Sequence, residues 1–405
     1  MIRDTLSVFW SRYRKAWKAS PWLSASLHAF AAVMLAAQLI VAPRPFYCTY
    51  AGESYCFVWS SRPPAGSPLQ RDLLEAGNDW RKLNYDRSVW PLVYADPYAT
   101  DLDISWQPPG FCSGESCYAL GTWELGRSMG ASLLYGFRKS LLIALLSVLI
   151  GMILGIPAGS FLSYYQRDGI RLSPAVAASA LVSAGVSLYV LLLSIHHRQF
   201  YAAAWLLAAA LWILCFWLYG RGRGDRARIR IWPDAWLSGG IGLVKSFPSL
   251  LLLLLLVNWV KQPGTAFIAG LLGFFLAFSM ARYARHIVIS ERASVYVDAL
   301  RTLGLSDRRI VIRHLIPRVL AGLYPIAAAA LGSAVLTEST LSFLGLGLPL
   351  DEISLGSMMH SARNHLSAWW VVLLPGLLVF WMVFSFQKLG KTLSQNHEDS
   401  VVQQV

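Results

Sequence analysis

ERASVYVDALRTLGLSDRRIVIRHLIP, residues 291–317, is a polar stretch between two long apolar segments of the chain. Val295, Ala299 and Leu303 recur in it every fourth residue, and this spacing predicts a short helix with an apolar stripe. Gly304 is expected to end that helix, because glycine adopts the left-handed conformation that follows a helix end at no steric cost.

A second helix is predicted directly after the glycine. Ser306 is a natural N-cap, and Asp307 places negative charge in the positive first turn of a helix. Pro317 lies where the next apolar helix begins, a position that tolerates a missing N–H. The stretch is therefore predicted to form a helix–glycine–helix elbow on the basic side of a membrane. It presents the basic side chains of Arg301, Arg308, Arg309, Arg313 and His314.

The surrounding chain has the composition of an integral membrane protein. It has 405 residues, of which 56% are hydrophobic, and it contains several apolar runs close to the ~20 residues that a helix needs to span a bilayer. The net charge is +13, but residues 44–136 carry seven basic and ten acidic side chains, a net charge of −3. Because cytoplasmic segments of membrane proteins carry the excess of basic residues, this distribution indicates an external segment and argues against nucleic acid as a partner.

The elbow resembles the EAA loop of bacterial ABC-importer permeases, in which Glu-Ala-Ala is followed by three residues, a glycine, nine residues and Ile-x-Leu-Pro. The spacing from Asp298 through Gly304 to Pro317 fits this pattern without a gap. The departures from the family pattern are Asp298, Leu300, His314 and Ile316. In the family this loop is the coupling helix, which seats in a groove of the ATP-hydrolysing subunit; an ordinary basic cytoplasmic loop is the alternative. The resemblance implies an ATPase-coupling role for Asp298, Ala299, Arg301, Gly304, Ser306, Asp307, Arg308, Arg309, Arg313, His314 and Pro317.

A second local resemblance covers LGTWELGRSMGASLLYGFRKSLL, residues 120–142. It is similar to the entry into the second helix of C-type permeases of dipeptide, oligopeptide and nickel importers, where LGTD-x-x-GRD-x-x-S-R is usual. Trp123 and Ser128 replace the two aspartates of the family pattern. Ala131 and Ser132 stand where Ser-Arg is usual.

Glu338 is an acidic residue at membrane depth, which is by default a candidate functional site. The sequence from Glu338 to Gly345 resembles the ESxLSFLGLG stretch of the same family. The alternative is an acid near the helix end that reaches the lipid headgroups. The candidates for the translocation pathway are Glu338, Ser339, Thr340 and Ser342.

Four of the five cysteines fall in the external segment, which indicates an oxidising compartment. Of the three possible pairings, neighbouring cysteines are predicted to pair as Cys48–Cys56 and Cys112–Cys117, with free thiols as the alternative. A zinc site is not expected, because no nearby histidine completes a ligand set. No metal ligands are therefore assigned.

The predicted fold is an all-α polytopic membrane protein: a type I ABC-importer permease core of about six helices, with an inserted two-helix hairpin and an extracytoplasmic domain. The ranges are an interfacial amphipathic helix at 1–20, a first membrane helix at 21–43, the external domain at 44–136, a second membrane helix at 137–165, the inserted hairpin and basic tract at 166–232, the remaining core at 233–388 with its coupling loop at 284–319, and a cytoplasmic tail at 389–405.

No enzyme chemistry can be read from the sequence. Gly390-Lys391-Thr392 imitates the end of a phosphate-binding loop, but Ser385 stands where that loop needs a glycine. The resemblance therefore implies a permease subunit that binds no cofactor and imports peptides or peptide-like solutes by alternating access. Its implied partners are a second permease, two ATP-binding subunits that hold ATP and Mg²⁺, and an extracytoplasmic solute-binding protein.

The expected location is the bacterial inner membrane, with both termini in the cytoplasm. The nearest branch of the family by resemblance is that of oligopeptide and microcin C importers. Two other classes stay open: an ion-coupled secondary transporter, and a membrane scaffold or sensor that transports nothing.

Overall fold

The computed structural model describes residues 21–42, 44–56, 63, 67–75, 80, 83–91, 93–94, 96–113, 116–166, 170–172, 229–258, 263–349 and 352–402, with a few positions between 182 and 214. The predicted interfacial helix at 1–20, the basic tract at 221–228 and most of the inserted hairpin lie outside these residues.

Helices make up most of the described chain. In order they are α1 (Pro21–Ile40), α2 (Pro68–Glu75), α3 (Met129–Tyr164), α4 (Pro233–Ser246), α5 (Ser249–Asn258), α6 (Thr265–Arg292), α7 (Val295–Thr302), α8 (Asp307–Ile310), α9 (Ile316–Phe343), α10 (Leu355–Ser361) and α11 (Trp369–Val402). The strands are β1 (Val41–Ala42), β2 (Tyr47–Tyr50), β3 (Glu53–Cys56), β4 (Arg87–Val89), β5 (Val93–Tyr94), β6 (Phe111–Ser113), β7 (Ser116–Tyr118), β8 (Ile170–Leu172) and β9 (Ile229–Ile231).

Among the described residues, four helices are long and apolar enough to cross a membrane. They are Met129–Tyr164, Thr265–Arg292, Asp307–Phe343 and Trp369–Gln395. A fifth span results if Leu237–Ser246 and Ser249–Asn258 are counted together, although the two are bent by 84°. The bend falls at Phe247, which has an extended backbone (φ −97°, ψ 142°) because the following Pro248 disfavours the helical conformation of the residue before it. The fold class is that of an all-α polytopic membrane protein, as predicted.

Several helix ends differ from the predicted ones. α3 begins at Met129, eight residues before the predicted second membrane helix, because its first turns are packed rather than solvated: Met129 and Ala131 are buried. α11 continues to Val402 instead of ending in a separate tail at 389, and Leu393 in this extension is buried. β8 and β9 pair antiparallel, so the two ends of the inserted segment lie side by side.

The described chain divides into two compact units, one containing Leu146–Ala330 and the other containing Lys15–Leu145 and Leu331–Thr392. In the first unit, α3 packs directly on α6 through Gly151, Gly155 and Gly159. A Cβ added at Gly155 would lie 2.4 Å from the Ala277 carbonyl oxygen, and one at Gly159 would lie 2.4 Å from the Ala281 carbonyl oxygen. Such small residues let membrane helices approach to backbone contact.

In the second unit, the segment predicted to be external forms several small sheets. β2 pairs antiparallel with both β3 and β4, β1 pairs parallel with β5, and β6 forms a hairpin with β7. Phe30 of α1 joins α3 and α11, because its ring lies 5.4 Å from that of Phe137 and 4.9 Å from that of Trp381 between centroids.

One predicted disulfide forms and the other does not. Cys112 and Cys117 face each other across the β6–β7 hairpin and are bonded, whereas Cys48 and Cys56 are free. The prediction of a Cys48–Cys56 bond is wrong because Cys48 pairs with Tyr55 in the register, and adjacent strand positions point to opposite faces. Burial raises the pKa of the Cys48 thiol to about 11, so this thiol stays protonated at neutral pH.

Candidate coupling site and buried carboxylate

The elbow, residues 291–317, has the predicted glycine stop. Gly304 has φ +78°, its N–H donates to the Arg301 carbonyl oxygen at 2.9 Å, and the Leu305 N–H donates to the Leu300 carbonyl oxygen at 3.2 Å. These two bonds form a Schellman motif, in which a left-handed residue satisfies the last carbonyls of a helix. Ser306 occupies the N-cap position of α8 with an extended backbone, but its side chain makes no cap hydrogen bond.

The apolar stripe of α7 faces outward. Val295 is 85% exposed and Leu303 is 75% exposed, and Ala299 between them is also exposed. The buried residues of this helix are instead Val297 and Leu300. The helix is therefore confirmed, and its four-residue repeat marks the surface that it offers to solvent or to another chain. This surface is called the outer stripe below.

The second arm of the elbow is the start of a long helix rather than a separate short one. α8 continues through a π-helical turn at Val311–Leu315 into α9. Pro317 accounts for the turn, because it has no N–H to donate to the carbonyl of Arg313 and its ring crowds that carbonyl. Only the first of the two predicted short helices, α7, is therefore a separate helix. The second forms the first turns of the long helix that continues into α9.

The basic side chains of the elbow divide into two groups. Arg308, Arg309 and Arg313 are exposed. Arg301 instead turns inward, and the His314 ring nitrogen Nδ1 lies 2.7 Å from the Tyr296 hydroxyl. Asp298, the acidic residue of the family pattern, keeps 71% of its side chain exposed and lies 3.9 Å from the Arg301 guanidinium.

Tyr164, the last residue of α3, forms the inner contact of the elbow. It is completely buried, and its hydroxyl donates to Asp307 Oδ1 at 2.7 Å. Arg301 donates to the same hydroxyl oxygen from Nη2 at 3.2 Å and from Nε at 3.3 Å. The sequence predicted roles for Arg301 and Asp307 but not for Tyr164, whose position at the end of an apolar run gave no distinct signal.

An ion pair fixes α4 against α6 in the same unit. The Arg285 guanidinium donates two hydrogen bonds to Asp234, Nε to Oδ1 at 2.6 Å and Nη2 to Oδ2 at 2.8 Å. Asp234 is buried, and a bidentate pair of this kind holds both side chains in one orientation.

Glu338 lies inside the second unit and is not accessible to solvent. Its carboxylate accepts from Ser342 Oγ at 3.0 Å and from Ser339 Oγ at 3.4 Å. The hydroxyls of Ser140 and Ser354 also face it without forming a hydrogen bond to it. This burial contradicts the alternative that Glu338 reaches the lipid headgroups.

Two further helices lie beside the Glu338 carboxylate, namely α3, which carries Ser140, and α10, which Ser354 caps. Ser354 caps the N-terminus of α10 in a capping box with Ser357, and Gly356 touches α9 so closely that a Cβ there would lie 2.4 Å from the Ser339 carbonyl oxygen. Thr340, by contrast, donates to the Leu336 carbonyl oxygen of its own helix at 2.7 Å. A role of these residues in a translocation pathway stays a prediction.

Trp123 and Ser132, two of the residues that depart from the family pattern, contact each other. Trp123 is buried and its indole N–H donates to Ser132 Oγ at 2.9 Å. In the family pattern these two positions hold an aspartate and an arginine. The chain thus has a neutral hydrogen bond where the resembling sequences have opposite charges.

Among the described residues, no group of three or more histidine, cysteine, aspartate or glutamate side chains could hold a metal ion. The described residues contain four or five apolar spans with a polar elbow between two of them, which is the arrangement of a polytopic membrane protein.

Comparisons with known proteins show which proteins the chain resembles. Residues 224–395 match the family described as binding-protein-dependent transport system inner membrane component. The chain is 26% identical over 303 residues to a putative peptide transport system permease protein of Brucella suis biovar 1, covering 75% of this chain and 78% of that protein. It is 23% identical over 384 residues to the inner membrane ABC transporter permease protein YejE of Escherichia coli K12, covering 92% of each.

A third relative is the di/tripeptide transport system permease protein DppC of Pseudomonas aeruginosa, 28% identical over 306 residues that cover 75% of this chain and 79% of that protein. The inward-facing methionine ABC transporter MetNI is a solved structure with 18% identity and a TM-score of 0.39, covering 65% of this chain and 97% of that chain. This structural likeness is too weak to carry an argument. The chain is thus similar, over residues 224–395 and over long alignments, to inner-membrane permease components of binding-protein-dependent and ABC transport systems.

Proposed function

We propose that the chain is the permease subunit of an ATP-driven importer that moves peptides or peptide-like solutes into the cytoplasm. The observation that carries the proposal is the elbow, which offers an apolar stripe to a partner while its other face is anchored in the protein. The substrate class rests on the relatives, two of which are named as peptide or di/tripeptide transport permeases.

The outer stripe is the proposed ATPase contact. Val295 and Leu303 supply apolar area that a groove can bury, and Arg308 and Arg309 supply exposed charge beside it. Protein interfaces combine an apolar centre with a polar rim in this way. The importance of Asp298 in this contact is part of the proposal, because its carboxylate is exposed beside the stripe.

The mechanism follows from this contact. ATP and Mg²⁺ are held by two partner ATPase subunits, and this chain supplies no ATP site of its own. When ATP draws those subunits together, the elbow is displaced, and the permease pair turns its cavity outward to accept solute from a binding protein. A second permease subunit completes the pathway wall, and both termini lie in the cytoplasm.

Replacing the glycine of the elbow tests the proposal. Gly304→Pro is expected to abolish the coupling of ATP hydrolysis to uptake, because proline cannot adopt φ +78° and lacks the N–H that closes the Schellman motif. Membrane insertion is expected to be unchanged. The measurements are co-purification with the candidate ATPase and hydrolysis and uptake in proteoliposomes.

A matched control exists in the external domain. Gly52 has φ +80°, and a Cβ added there, like one added at Gly304, would meet no other atom within 4 Å. Gly52→Pro therefore imposes the same backbone strain far along the chain, and it is expected to retain coupling. If no ATPase associates with the wild-type protein, or if Gly304→Pro remains coupled, the importer function is rejected in favour of an ion-coupled transporter or a scaffold.

A further inference from the structure

One buried tyrosine contacts three successive helices of the elbow region, α6, α7 and α8. The Tyr164 hydroxyl binds Asp307 at the start of α8 and Arg301 at the end of α7. The Arg301 guanidinium carbon also lies 5.4 Å from the centre of the Tyr164 ring, and that of Arg292 at the end of α6 lies 5.2 Å from it. Both distances allow cation–π attraction.

These contacts are stronger than ordinary neutral ones. The bond to Asp307 and the bonds from Arg301 each join the tyrosine to an ionised group, and charge-assisted hydrogen bonds are roughly twice as strong as neutral bonds. Tyr164 is fully buried, so water does not compete for its hydroxyl. The elbow is therefore joined to the end of α3 by a short, charged network in which Tyr164 is buried and the side chains of Arg301 and Asp307 are 35% and 46% exposed.

The helix behind Tyr164 is well suited to receive a displacement. α3 contacts α6 at backbone distance through Gly155 and Gly159, so the two helices have no side-chain layer that could absorb movement. Close-packed interiors transmit strain. A shift of Asp307 or Arg301 thus moves the end of α3 with it.

We propose that Tyr164 is the positioning residue through which movement of the elbow enters α3. This inference rests on the proposed function, since it assumes that a partner displaces the elbow from its outer stripe. It reassigns Arg301 and Asp307: the side chains that the sequence places at the ATPase contact act on the opposite side of the elbow, where they hold Tyr164.

The test uses the full permease–ATPase complex in nanodiscs, with amide hydrogen exchange measured with and without a non-hydrolysable ATP analogue. In the wild type, the analogue is expected to change exchange both in the elbow and in residues 156–166. In Tyr164→Phe, which keeps the ring and loses the hydroxyl, the elbow is expected to respond as before. The response at 156–166 is expected to fall about tenfold, the effect of losing a hydrogen bond to a charged group.

Tyr165→Phe is the matched control. It removes a hydroxyl group from the neighbouring residue and leaves the Tyr164–Asp307 hydrogen bond intact. It is expected to behave as the wild type. If residues 156–166 respond equally in Tyr164→Phe and in the wild type, the inference is overturned while the proposed function stands. If the elbow of the wild type does not respond to the ATP analogue, the proposed function itself fails.

A second measurement protects the test against a folding defect. Asp307→Ala removes the same bond from the side of the elbow, so the double variant with Tyr164→Phe is expected to lose no more coupling than either single variant. Residues in one network give such non-additive effects. Additive losses would show that the two side chains act independently and would overturn the inference.

Discussion

Glu338 is a carboxylate that the fold surrounds with hydroxyl groups rather than with a cation. Burying a charged group is costly unless hydrogen bonds compensate it, and Ser342 and Ser339 supply such bonds. The arrangement also orders α10, because Ser354 both faces the carboxylate and caps that helix. The acid therefore has a structural function in the second unit, whether or not it contacts solute.

Two substitutions separate the structural function of Glu338 from a function in solute transport. Glu338→Leu is expected to destabilise the protein by about 1–3 kcal/mol, because it leaves buried hydroxyls without a partner. Glu338→Gln retains polar atoms at the same places and is expected to retain stability within about 1 kcal/mol. Thermal unfolding of the purified protein provides the comparison. A pathway role is supported only if Glu338→Gln loses uptake while its unfolding temperature is unchanged.

At the scale of elements, sequence patterns predicted most helices of the core but not their ends. The Gly304 stop was predictable because positive φ favours glycine so strongly, whereas the early start of α3 depends on the burial of Met129, which no local pattern reports. The π-helical turn before Pro317 was likewise not predicted. The sequence shows the proline but not its effect on the preceding turn of the helix. The sequence pattern also did not show that the apolar stripe of α7 faces outward, and only the folded structure does so.

The Trp123–Ser132 contact gives an element-scale prediction. Trp123→Asp alone is expected to destabilise the entry to α3 by at least about 3 kcal/mol, because it removes a buried aromatic side chain and leaves an unpaired charge. Ser132→Arg alone places a cation against the indole and is expected to be destabilising as well. The double variant restores the charge pair of the family pattern and is expected to recover more than half of the loss, as measured by thermal unfolding. A double variant as unstable as the sum of the singles would mean that the two positions are not coupled.

At the scale of the whole molecule, the two compact units carry different features. The unit containing Leu146–Ala330 holds the elbow, Tyr164 and the glycine contact of α3 with α6, and the other holds Glu338 and the small sheets of the segment predicted to be external. The elbow, which we propose meets the ATPase, and the segment predicted to be external thus belong to different units. The sequence did not predict this division, and the inserted segment at 166–232 was predictable only as extra apolar sequence.

The central claim is that the outer stripe of the elbow contacts the ATPase subunit, and site-specific photo-crosslinking tests it most directly. A photoreactive amino acid is placed at Leu303, which is 75% exposed on the elbow, or at Val89, which is 56% exposed on strand β4 of the segment predicted to be external. The predicted result is a crosslink to the ATPase subunit from position 303 and none from position 89. A crosslink to the ATPase from position 89, or its absence from position 303 in an assembled complex, would contradict the claim.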